Sequence, residues 1–350
     1  MDPKADLKTS RAVSGDDALR ELCFCDAVFS ERYEGWKVIG RGPWATVVRT
    51  RSRDLGHDIA VKVFVNLDSE LLERIRQEVR AVQALATPYL VHTYSLFGRG
   101  SVAWFEMELV DGPNLQQELD RLSAAGERLP LIRAYEIALA LGRCVWHAHR
   151  RGVLHRDIKP ANVLLPASGE PAAKVSDFGI ARLADVARAT PPGTITGTPR
   201  FASHEALAGR PVGPAHDVYG LGVTLYALLS GGKLPFELTT RASIASLRRL
   251  QLTERPKALH ALVPGVDVQI EDLVMQAMAP EATHRPSLRR IVISLERAQA
   301  RVVAAGGRAA AGIRVSVSPW RVALAGLGLA AVGFWTKSWR RRDSSGNPRG

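Results

Sequence analysis

Residues 155–162 read His155-Arg156-Asp157-Ile158-Lys159-Pro160-Ala161-Asn162. Asp157 can accept a proton from an attacking hydroxyl group, and Lys159 adds a positive charge beside it. Pro160 fixes φ and cannot prolong a helix. Because apolar runs lie on both sides, the stretch is predicted to be a stiff loop, and catalytic groups commonly lie on such loops.

A second motif, Asp177-Phe178-Gly179, begins fifteen residues after Asn162. The side chains of Asn162 and Asp177 offer hard oxygen ligands, which suit Mg²⁺ better than softer metals. The two motifs, in this order and spacing, resemble the catalytic loop and metal-binding triplet of the protein kinases, a general template for phosphoryl transfer. Either triplet alone arises by chance in many chains, but their combination makes coincidence a poor explanation.

The resemblance implies the bilobal protein-kinase fold of the α+β class. A small β-sheet lobe with one helix would precede a large, mainly helical lobe, with ATP bound between them. A C-terminal apolar helix would follow the kinase domain, which is predicted to span 33–297. The expected segments are 1–32 (N-terminal extension), 33–107 (small lobe), 108–112 (hinge), 113–297 (large lobe), 298–318 (linker), 319–339 (candidate transmembrane or membrane-associated helix) and 340–350 (basic tail).

The small lobe is predicted from alternating and periodic apolar residues. The stretch 33–47 indicates strand, turn and strand, with Gly40 and Gly42 able to turn backbone N–H groups toward phosphate oxygens, although a plain hairpin has the same pattern. Lys62 interrupts a run of β-formers and requires a partner if that strand is buried. An amphipathic helix with Glu78 at the edge of its apolar face offers one, the alternative being a solvated acid. Its predicted stripe is Leu72, Ile75, Val79, Val82 and Leu85.

The resemblance also assigns roles to individual residues. Asp157 would be the base, Lys159 would contact the moving phosphoryl group, and Asn162 and Asp177 would hold Mg²⁺, with Mn²⁺ possible. Met107 would guard a pocket behind the adenine site. The residues expected to bind ATP are Ile39, Gly40, Gly42, Val47, Ala60, Lys62, Glu78, Met107, Glu108, Val110, Leu164 and Asp177.

Other elements follow from apolar spacing. Strands are predicted at 89–91 and 102–107, and a helix with one apolar stripe is predicted to lead into the catalytic loop. Its stripe is Ala134, Ile137, Leu141, Val145 and Ala148. Further helices are expected at 223–229, 270–278 and 288–300.

The segment from Asp177 to Glu205 would be the activation segment. Arg156, together with Arg182, would pair with a phosphate on Thr194 or Thr196. By the resemblance, Glu205 would form a structural ion pair with Arg285. Ser203-His204 stands where the family has Ala-Pro before this glutamate, and Ala45 stands where a third glycine usually lies. Asp217 would anchor the catalytic loop from below, and His155 would have a structural role.

Composition limits the other classes of function. The net charge of +12 is concentrated in the tail, where residues 298–350 hold nine Lys or Arg and one acid, so nucleic acid is not an expected partner. Cys23, Cys25 and Cys144 give no disulfide framework or zinc pattern. His147 and His149 point about 200° apart on a helix, so they are not expected to share a metal. No signal peptide is recognised at the N-terminus.

The uncharged stretch 322–336 would reach about 22 Å as a helix, against a hydrocarbon core of about 30 Å. Flanking tryptophans and cations favour a membrane segment, while an interfacial or partner-binding helix and a core helix are alternatives. The kinase domain is then expected to be cytoplasmic and anchored to a membrane. ATP and protein substrates would be the partners of a serine/threonine kinase of the bacterial eukaryotic-like type. Two competing hypotheses are a weakly catalytic kinase fold that serves as a binding scaffold, and a small-molecule kinase.

Overall fold

The computed structural model describes residues 27–42, 45–65, 67–178, 199–237 and 243–311. The chain divides into two compact units, of which one ends at Ala300 and the other begins at Arg301. The first unit contains a five-stranded antiparallel sheet, followed along the chain by a mainly helical part.

The small lobe is a sheet with strand order β1-β2-β3-β5-β4, and every neighbouring pair is antiparallel. One helix precedes the first strand in the sequence, and a second helix lies between the third and fourth strands. The elements are α1 (Ala27–Arg32), β1 (Tyr33–Arg41), β2 (Ala45–Ser52), β3 (Asp58–Phe64), α2 (Ser69–Gln83), β4 (Thr93–Arg99) and β5 (Val102–Glu108).

The two faces of this sheet bury separate apolar clusters, because side chains alternate along a strand. Val61 and Val63 of β3 pack on one face with Phe29 of α1. Phe64, on the other face, packs against Ile75 and Val79 of α2. Lys62 therefore lies on the face that α2 covers.

A buried polar contact ties the start of β1 to β5. The Tyr33 hydroxyl donates to Glu106 Oε1 at 2.8 Å and accepts from Trp104 Nε1 at 3.1 Å. Burial raises the pKa of Tyr33, with the Glu106 carboxylate acting in the same direction. Phe29 is only 2% exposed beside this contact, so residues of the predicted N-terminal extension contribute to the core of the small lobe.

The large lobe is built around one helix that is apolar on all sides and is buried accordingly. This helix, Pro214–Ser230, packs against the helices Leu131–His149 and Val268–Ala277. The helices are α3 (Leu115–Ala124), α4 (Leu131–His149), α5 (His204–Leu207), α6 (Pro214–Ser230), α7 (Ile244–Thr253), α8 (Leu259–Leu262), α9 (Val268–Ala277) and α10 (Leu288–Ala311), with 3₁₀ turns at Pro160–Asn162, Pro199–Phe201 and Ala282–His284. A short hairpin pairs β6 (Val163–Leu164) with β7 (Lys174–Val175).

A glycine on α6 lets the catalytic loop lie directly against this helix. A Cβ atom at Gly220 would come within 3.1 Å of the Ile158 carbonyl oxygen, which is tighter than ordinary contacts. The loop backbone therefore rests on the most deeply buried helix of the lobe.

Most predicted elements are confirmed, including the buried stripe of α4 and the helices at 223–229, 270–278 and 288–300. The predicted strand at 89–91 is wrong, because the fourth strand of the sheet is Thr93–Arg99. Tyr89 and Val91 instead bond to Val175. The Val175 N–H donates to the Tyr89 carbonyl, and the Val91 N–H donates to the Val175 carbonyl. In α2 the buried stripe starts at Leu71 rather than at Leu72.

The predicted apolar helix at 319–339 and the pair Cys23 and Cys25 lie outside the described residues. In the part of the chain that the structure describes, none of the helices is both long enough and apolar enough to span a bilayer. Cys144 is buried and free, and burial raises its pKa, so its thiol is inert.

Candidate active site

The catalytic loop holds its acid in place with two neighbours. Asp157 Oδ2 accepts from Lys159 Nζ at 2.7 Å and from Asn162 Nδ2 at 3.1 Å. Asn162 Nδ2 also donates to the Asp157 carbonyl at 2.8 Å. The 3₁₀ turn that begins at Pro160 brings Asn162 back toward the acid, so the side chains of Asp157, Lys159 and Asn162 lie together.

Asp217, at the start of α6, fixes the loop from below. Its two carboxylate oxygens accept the backbone N–H groups of His155 at 2.8 Å and Arg156 at 2.7 Å. One of them also lies 2.7 Å from His149 Nε2. Burial alone would raise the pKa of Asp217, but these contacts, led by His149, lower it. The predicted anchor is therefore confirmed, and His149 is a partner that the sequence analysis missed.

His155 is completely buried and connects the two motifs. Its Nε2 lies 3.0 Å from the Ser176 carbonyl, and its Nδ1 accepts from the Asp157 N–H at 3.2 Å. Because Nδ1 accepts, Nε2 carries the ring hydrogen and donates to Ser176. Burial lowers the pKa of His155 despite the nearby Asp217 carboxylate. A neutral histidine in a structural role agrees with the prediction.

Lys62 and Asp177 form a direct ion pair, with Nζ and Oδ1 separated by 2.5 Å. Burial would raise the pKa of Asp177, but the charge and hydrogen bond of Lys62 lower it below its ordinary value. Asp177 has a left-handed backbone, with φ of 64°, which is uncommon for a residue other than glycine. The side chain that was predicted to bind metal is thus held by the lysine that was predicted to bind ATP.

The predicted pair between Lys62 and Glu78 is wrong for this structure. Glu78 Oε1 instead lies 3.4 Å from an Arg156 guanidinium nitrogen. Lys62 thus pairs with Asp177, and Glu78 pairs with Arg156. The physical reason is that Lys62 has a nearer carboxylate, Asp177, in this arrangement.

The sheet register places several predicted ATP-binding side chains on one face. Val47 lies opposite Lys62, and Ala60 lies opposite Met107 in the neighbouring pair of strands. Residues directly opposite each other share a face, as do residues two apart, so these four side chains point to the same side of the sheet. The backbone positions are therefore consistent with a common binding surface. Ile39 and Gly40 lie on β1, and Leu164 lies on β6 in the large lobe.

The predicted hinge is secured by contacts to both lobes. Glu108 accepts from Lys174 Nζ at 2.6 Å, and its backbone N–H donates to the His92 carbonyl at 2.8 Å. Gly112 has φ of 142°, and a Cβ atom there would lie 2.0 Å from the Leu165 carbonyl oxygen. Only glycine fits at this point. Val110 lies between these two fixed positions.

Met107 lines a cavity behind the hinge, as the resemblance implied. Phe105 and Val79 contribute to its walls from the small lobe, and Asp177 and Phe178 contribute from the second motif. Phe178 also packs on the His155 ring, with centroids 4.4 Å apart. The cavity therefore connects α2, the sheet and the metal-binding motif.

The predicted structural ion pair at the base of the large lobe is confirmed. Arg285 donates to both oxygens of Glu205, at 2.6 and 2.8 Å. It also donates to the carbonyl groups of Ala215, Ala279 and Pro280. Burial alone would raise the pKa of Glu205, but the hydrogen bonds from Arg285 lower this pKa to about 2.

The oxygen ligands expected for Mg²⁺ are compatible with this geometry. Hydrogen bonds engage the Asn162 amide nitrogen, which leaves its oxygen as the metal-binding atom, and Asp177 supplies a carboxylate. These are hard ligands of the kind that Mg²⁺ binds together with substrate phosphates. Among the described residues, three potential histidine, cysteine or carboxylate ligands do not converge anywhere. A site completed by ATP phosphates, rather than by protein alone, fits this donor set.

Several predicted residues cannot be placed. Gly179, Arg182, Thr194 and Thr196 lie outside the described residues. The structure describes the end of the predicted activation segment from residue 199. There Ser203 contacts His216 of α6, which was not predicted from the sequence.

Comparisons with known proteins agree with this geometry. Residues 33–294 match the family described as the protein kinase domain. Serine/threonine-protein kinase PknA of Mycobacterium tuberculosis is 37% identical over 215 residues, covering 59% of this chain and 48% of PknA. Serine/threonine-protein kinase PrkC of Bacillus subtilis is 32% identical over 260 residues, covering 73% of this chain and 38% of PrkC. The chain thus spans about half or less of the length of these relatives.

Similarity in three dimensions supports the fold. The crystal structure of the Mycobacterium tuberculosis PknI kinase domain aligns with a TM-score of 0.56 and 23% identity. The alignment covers 76% of this chain and 96% of that one. The paired motifs, the two-lobed architecture and the family match lead to one conclusion: the chain belongs to the protein kinase family, among the bacterial-type serine/threonine kinases.

Proposed function

We propose that this protein transfers the γ-phosphoryl group of ATP to serine or threonine hydroxyls of proteins, as part of a signalling process. The observation that carries the proposal is the fixed position of Asp157, whose carboxylate is held by Lys159 and Asn162. A carboxylate in such a position can accept the hydroxyl proton as the new phosphate ester forms.

Each neighbouring cation has a role in this reaction. Lys159, 2.7 Å from the acid, would stabilise negative charge on the transferred phosphoryl group. Lys62 would bind the α- and β-phosphates of ATP. Since Lys62 now pairs with Asp177, ATP binding would replace that contact with two others: lysine to phosphate and carboxylate to metal.

Asn162 and Asp177 would hold Mg²⁺, and Mn²⁺ prefers similar oxygen ligands. When bound, the ion would neutralise charge on the phosphate oxygens of ATP. The protein's part is to position the two oxygen ligands, through the hydrogen bonds of the Asn162 amide and the bond from Ser176 N–H, next to Asp177, to the Asn162 carbonyl.

Phosphoryl transfer can be measured directly. Purified protein should transfer labelled phosphate from ATP to itself and to a generic basic protein in the presence of Mg²⁺, and EDTA should stop the reaction. Labelling of a small hydroxyl metabolite but of neither protein would support a small-molecule kinase. ATP binding without any transfer would support a scaffold, and either result would contradict the proposal.

We also propose autophosphorylation of Thr194 or Thr196, with the new phosphate bound by Arg156 and Arg182. The support is the arginine directly before Asp157 and the hydroxyl-rich sequence. The Arg156 guanidinium pairs with Glu78 in this structure, so a phosphate would compete with that carboxylate. Mass spectrometry of active protein that finds no phosphate between residues 190 and 198 would contradict the proposal.

Attachment to the cytoplasmic face of a membrane through residues 319–339 is proposed on the sequence alone. Its support is the uncharged stretch 322–336 with tryptophans and cations beside it. A spanning helix should stay in the pellet after washing at high salt and alkaline pH, whereas an interfacial helix held partly by charge should wash off. Full-length protein that stays wholly in the supernatant on fractionation would contradict both.

A further inference from the structure

Ser203 occupies a buried position at the end of the predicted activation segment, where the family has alanine. Its side chain is completely inaccessible to solvent. The hydroxyl oxygen accepts from the Ala206 N–H at 3.4 Å and lies 2.8 Å from Nδ1 of His216. The Ser203 hydroxyl also contacts the Glu205 carboxylate, so its single hydrogen has two nearby acceptors. Because the Arg156 carbonyl near His216 Nε2 can only accept, a neutral His216 ring carries its hydrogen on Nε2, and Nδ1 accepts from Ser203. Ser203 thus both caps α5 and binds His216.

His216 passes this contact on to the catalytic loop. It lies at the start of α6, directly before Asp217. With Nδ1 accepting from Ser203, the neutral ring carries its hydrogen on Nε2, and Nε2 lies 3.2 Å from the Arg156 carbonyl oxygen. One tautomer therefore satisfies both contacts, and the two hydrogen bonds run in the same direction.

The carbonyl that His216 binds belongs to the peptide unit that leads into Asp157. The N–H of that same unit donates to His155 Nδ1 at 3.2 Å. Arg156 has φ of 66°, an uncommon backbone conformation for this residue type, which persists only when its surroundings enforce it. Its own N–H is bound by Asp217. The two edges of the Arg156–Asp157 peptide plane are therefore held by two different histidines.

We propose that Ser203 and His216 are positioning residues for the catalytic acid. The Ser203 hydroxyl orients the His216 ring, the ring holds the Arg156 carbonyl, and the fixed peptide plane sets the direction in which the Asp157 side chain leaves the backbone. The end of the segment before α5 is thereby coupled to the catalytic loop. This inference rests on the proposed kinase function and adds two residues to its site.

A double-mutant cycle tests the inference. Ser203→Ala, His216→Leu and the double variant should each lower kcat about tenfold or more, because small displacements of reacting groups are costly. The double variant should be no worse than the more damaged single variant, since both residues act through one carbonyl. KM for ATP should stay within about twofold. His216→Gln, whose amide can donate to the same carbonyl, should recover part of the lost kcat.

The control separates capping from positioning. Ser243→Ala removes a serine that caps α7, where its hydroxyl accepts from the Ser246 N–H at 3.1 Å. The side-chain contacts of Ser243 are with Ser246 and not with the catalytic loop. It should leave kcat unchanged. Values of kcat within twofold of wild type for both single variants would overturn the proposal, as would independent, multiplying effects in the double variant. A fall in kcat that follows the melting temperature in all variants, including His216→Gln and the control, would also overturn it.

Hydrogen exchange gives a result that does not depend on activity. The Asp157 amide should exchange faster in Ser203→Ala and His216→Leu than in wild type, while the control leaves it protected. Unchanged exchange in both variants would overturn the positioning role even if the wild type proved inactive. Conversely, faster exchange in the two variants, together with a wild-type protein that transfers no phosphate, would refute the proposed function and not this coupling.

Discussion

Asp157 is held by donors on both sides, so its charge matters as well as its shape. Asp157→Asn should fold and bind ATP but lose about 10²- to 10⁴-fold in kcat, because an amide cannot accept the hydroxyl proton. The new amide group would also face two donors, Lys159 and Asn162. Kinetics with ATP binding measured separately checks this. Asp120→Asn, on the exposed face of α3, is the matched control, and activity of Asp157→Asn within tenfold of wild type would contradict the assigned role.

Glu205 makes a different kind of contribution, since it supports the fold and not the reaction. Glu205→Gln should lower the free energy of unfolding by about 3 kcal/mol, because it leaves the buried Arg285 guanidinium without its counter-charge. Glu70→Gln, which breaks a surface pair with Arg74, should cost less than about 1 kcal/mol. Chemical denaturation measures both, and equal losses would contradict the distinction.

The same carboxylate predicts a dependence of stability on pH. Its pKa is about 2 in the folded protein, below the ordinary value of 4.5. The unfolded chain therefore binds more protons in this range, and the contribution of Glu205 is complete above pH 4.5 and is lost as pH falls toward 2. Denaturation series between pH 6 and pH 3 should show a shallower decline for Glu205→Gln than for wild type. Parallel curves would contradict the assignment.

At the scale of elements, α2 brings Glu78 close enough to choose between two cations. In this structure it pairs with Arg156, while Lys62 pairs with Asp177. If ATP draws Lys62 away from Asp177 and toward the phosphates, Glu78 on α2, which covers the same face of the sheet, can hold the lysine in that position. Glu78→Gln should then lower kcat/KM for ATP at least tenfold without loss of folding. Glu73→Gln, on the exposed face of α2, is the control, and equal activity of the two variants would show that Glu78 does not take part.

The hinge is an element in which a single methyl group should have a measurable effect. Gly112→Ala would place a Cβ atom against the Leu165 carbonyl oxygen and would add strain from φ of 142°. We expect weaker ATP binding together with a lower melting temperature, because the displaced backbone lies next to Val110. Gly126→Ala is the matched control: it shares a positive φ but has open space around the new methyl group. Isothermal titration with ATP should separate the two variants, and equal affinities would contradict this account of the hinge.

At the scale of the whole molecule, the sequence predicts what local chemistry determines. The spacing of the two motifs was enough to assign Asp157, Asn162 and Asp177 to one site. The period of the apolar residues was enough to predict the buried stripe of α4. Partner choice could not be predicted, because whether Glu78 meets Lys62 or Arg156 depends on where α2 sits against the sheet. The roles of His149 and His216 have no sequence signal of their own, since each depends on which backbone or carboxylate group the fold places beside the ring. The strand at Thr93–Arg99 was missed because the more apolar residues before it are buried without joining the sheet.

The last helix allows the boundary of the catalytic unit to be tested. Among residues 288–305 of α10, whose burial the structure describes, the buried ones precede Arg301, and they are Leu288, Ile291, Val292, Leu295 and Ala298. Arg143 of α4 also binds Glu296 at 2.8 Å, whereas Val303 is 59% exposed. A protein ending at Ala300 should therefore keep the melting temperature and the activity of the full-length chain on a generic substrate.

A protein ending at Ser287 should behave differently, because it lacks the whole of α10. It would expose the apolar surface of α4 around Gly142, where a Cβ atom would meet Val292 at 3.3 Å. The loss of several buried aliphatic side chains, each worth about 1.5–3 kcal/mol, exceeds the usual margin of stability, so this shorter protein should not fold. Circular dichroism melting and the kinase assay distinguish the two proteins. Loss of activity in the protein ending at Ala300 would show that residues 301–350 are needed by the catalytic unit.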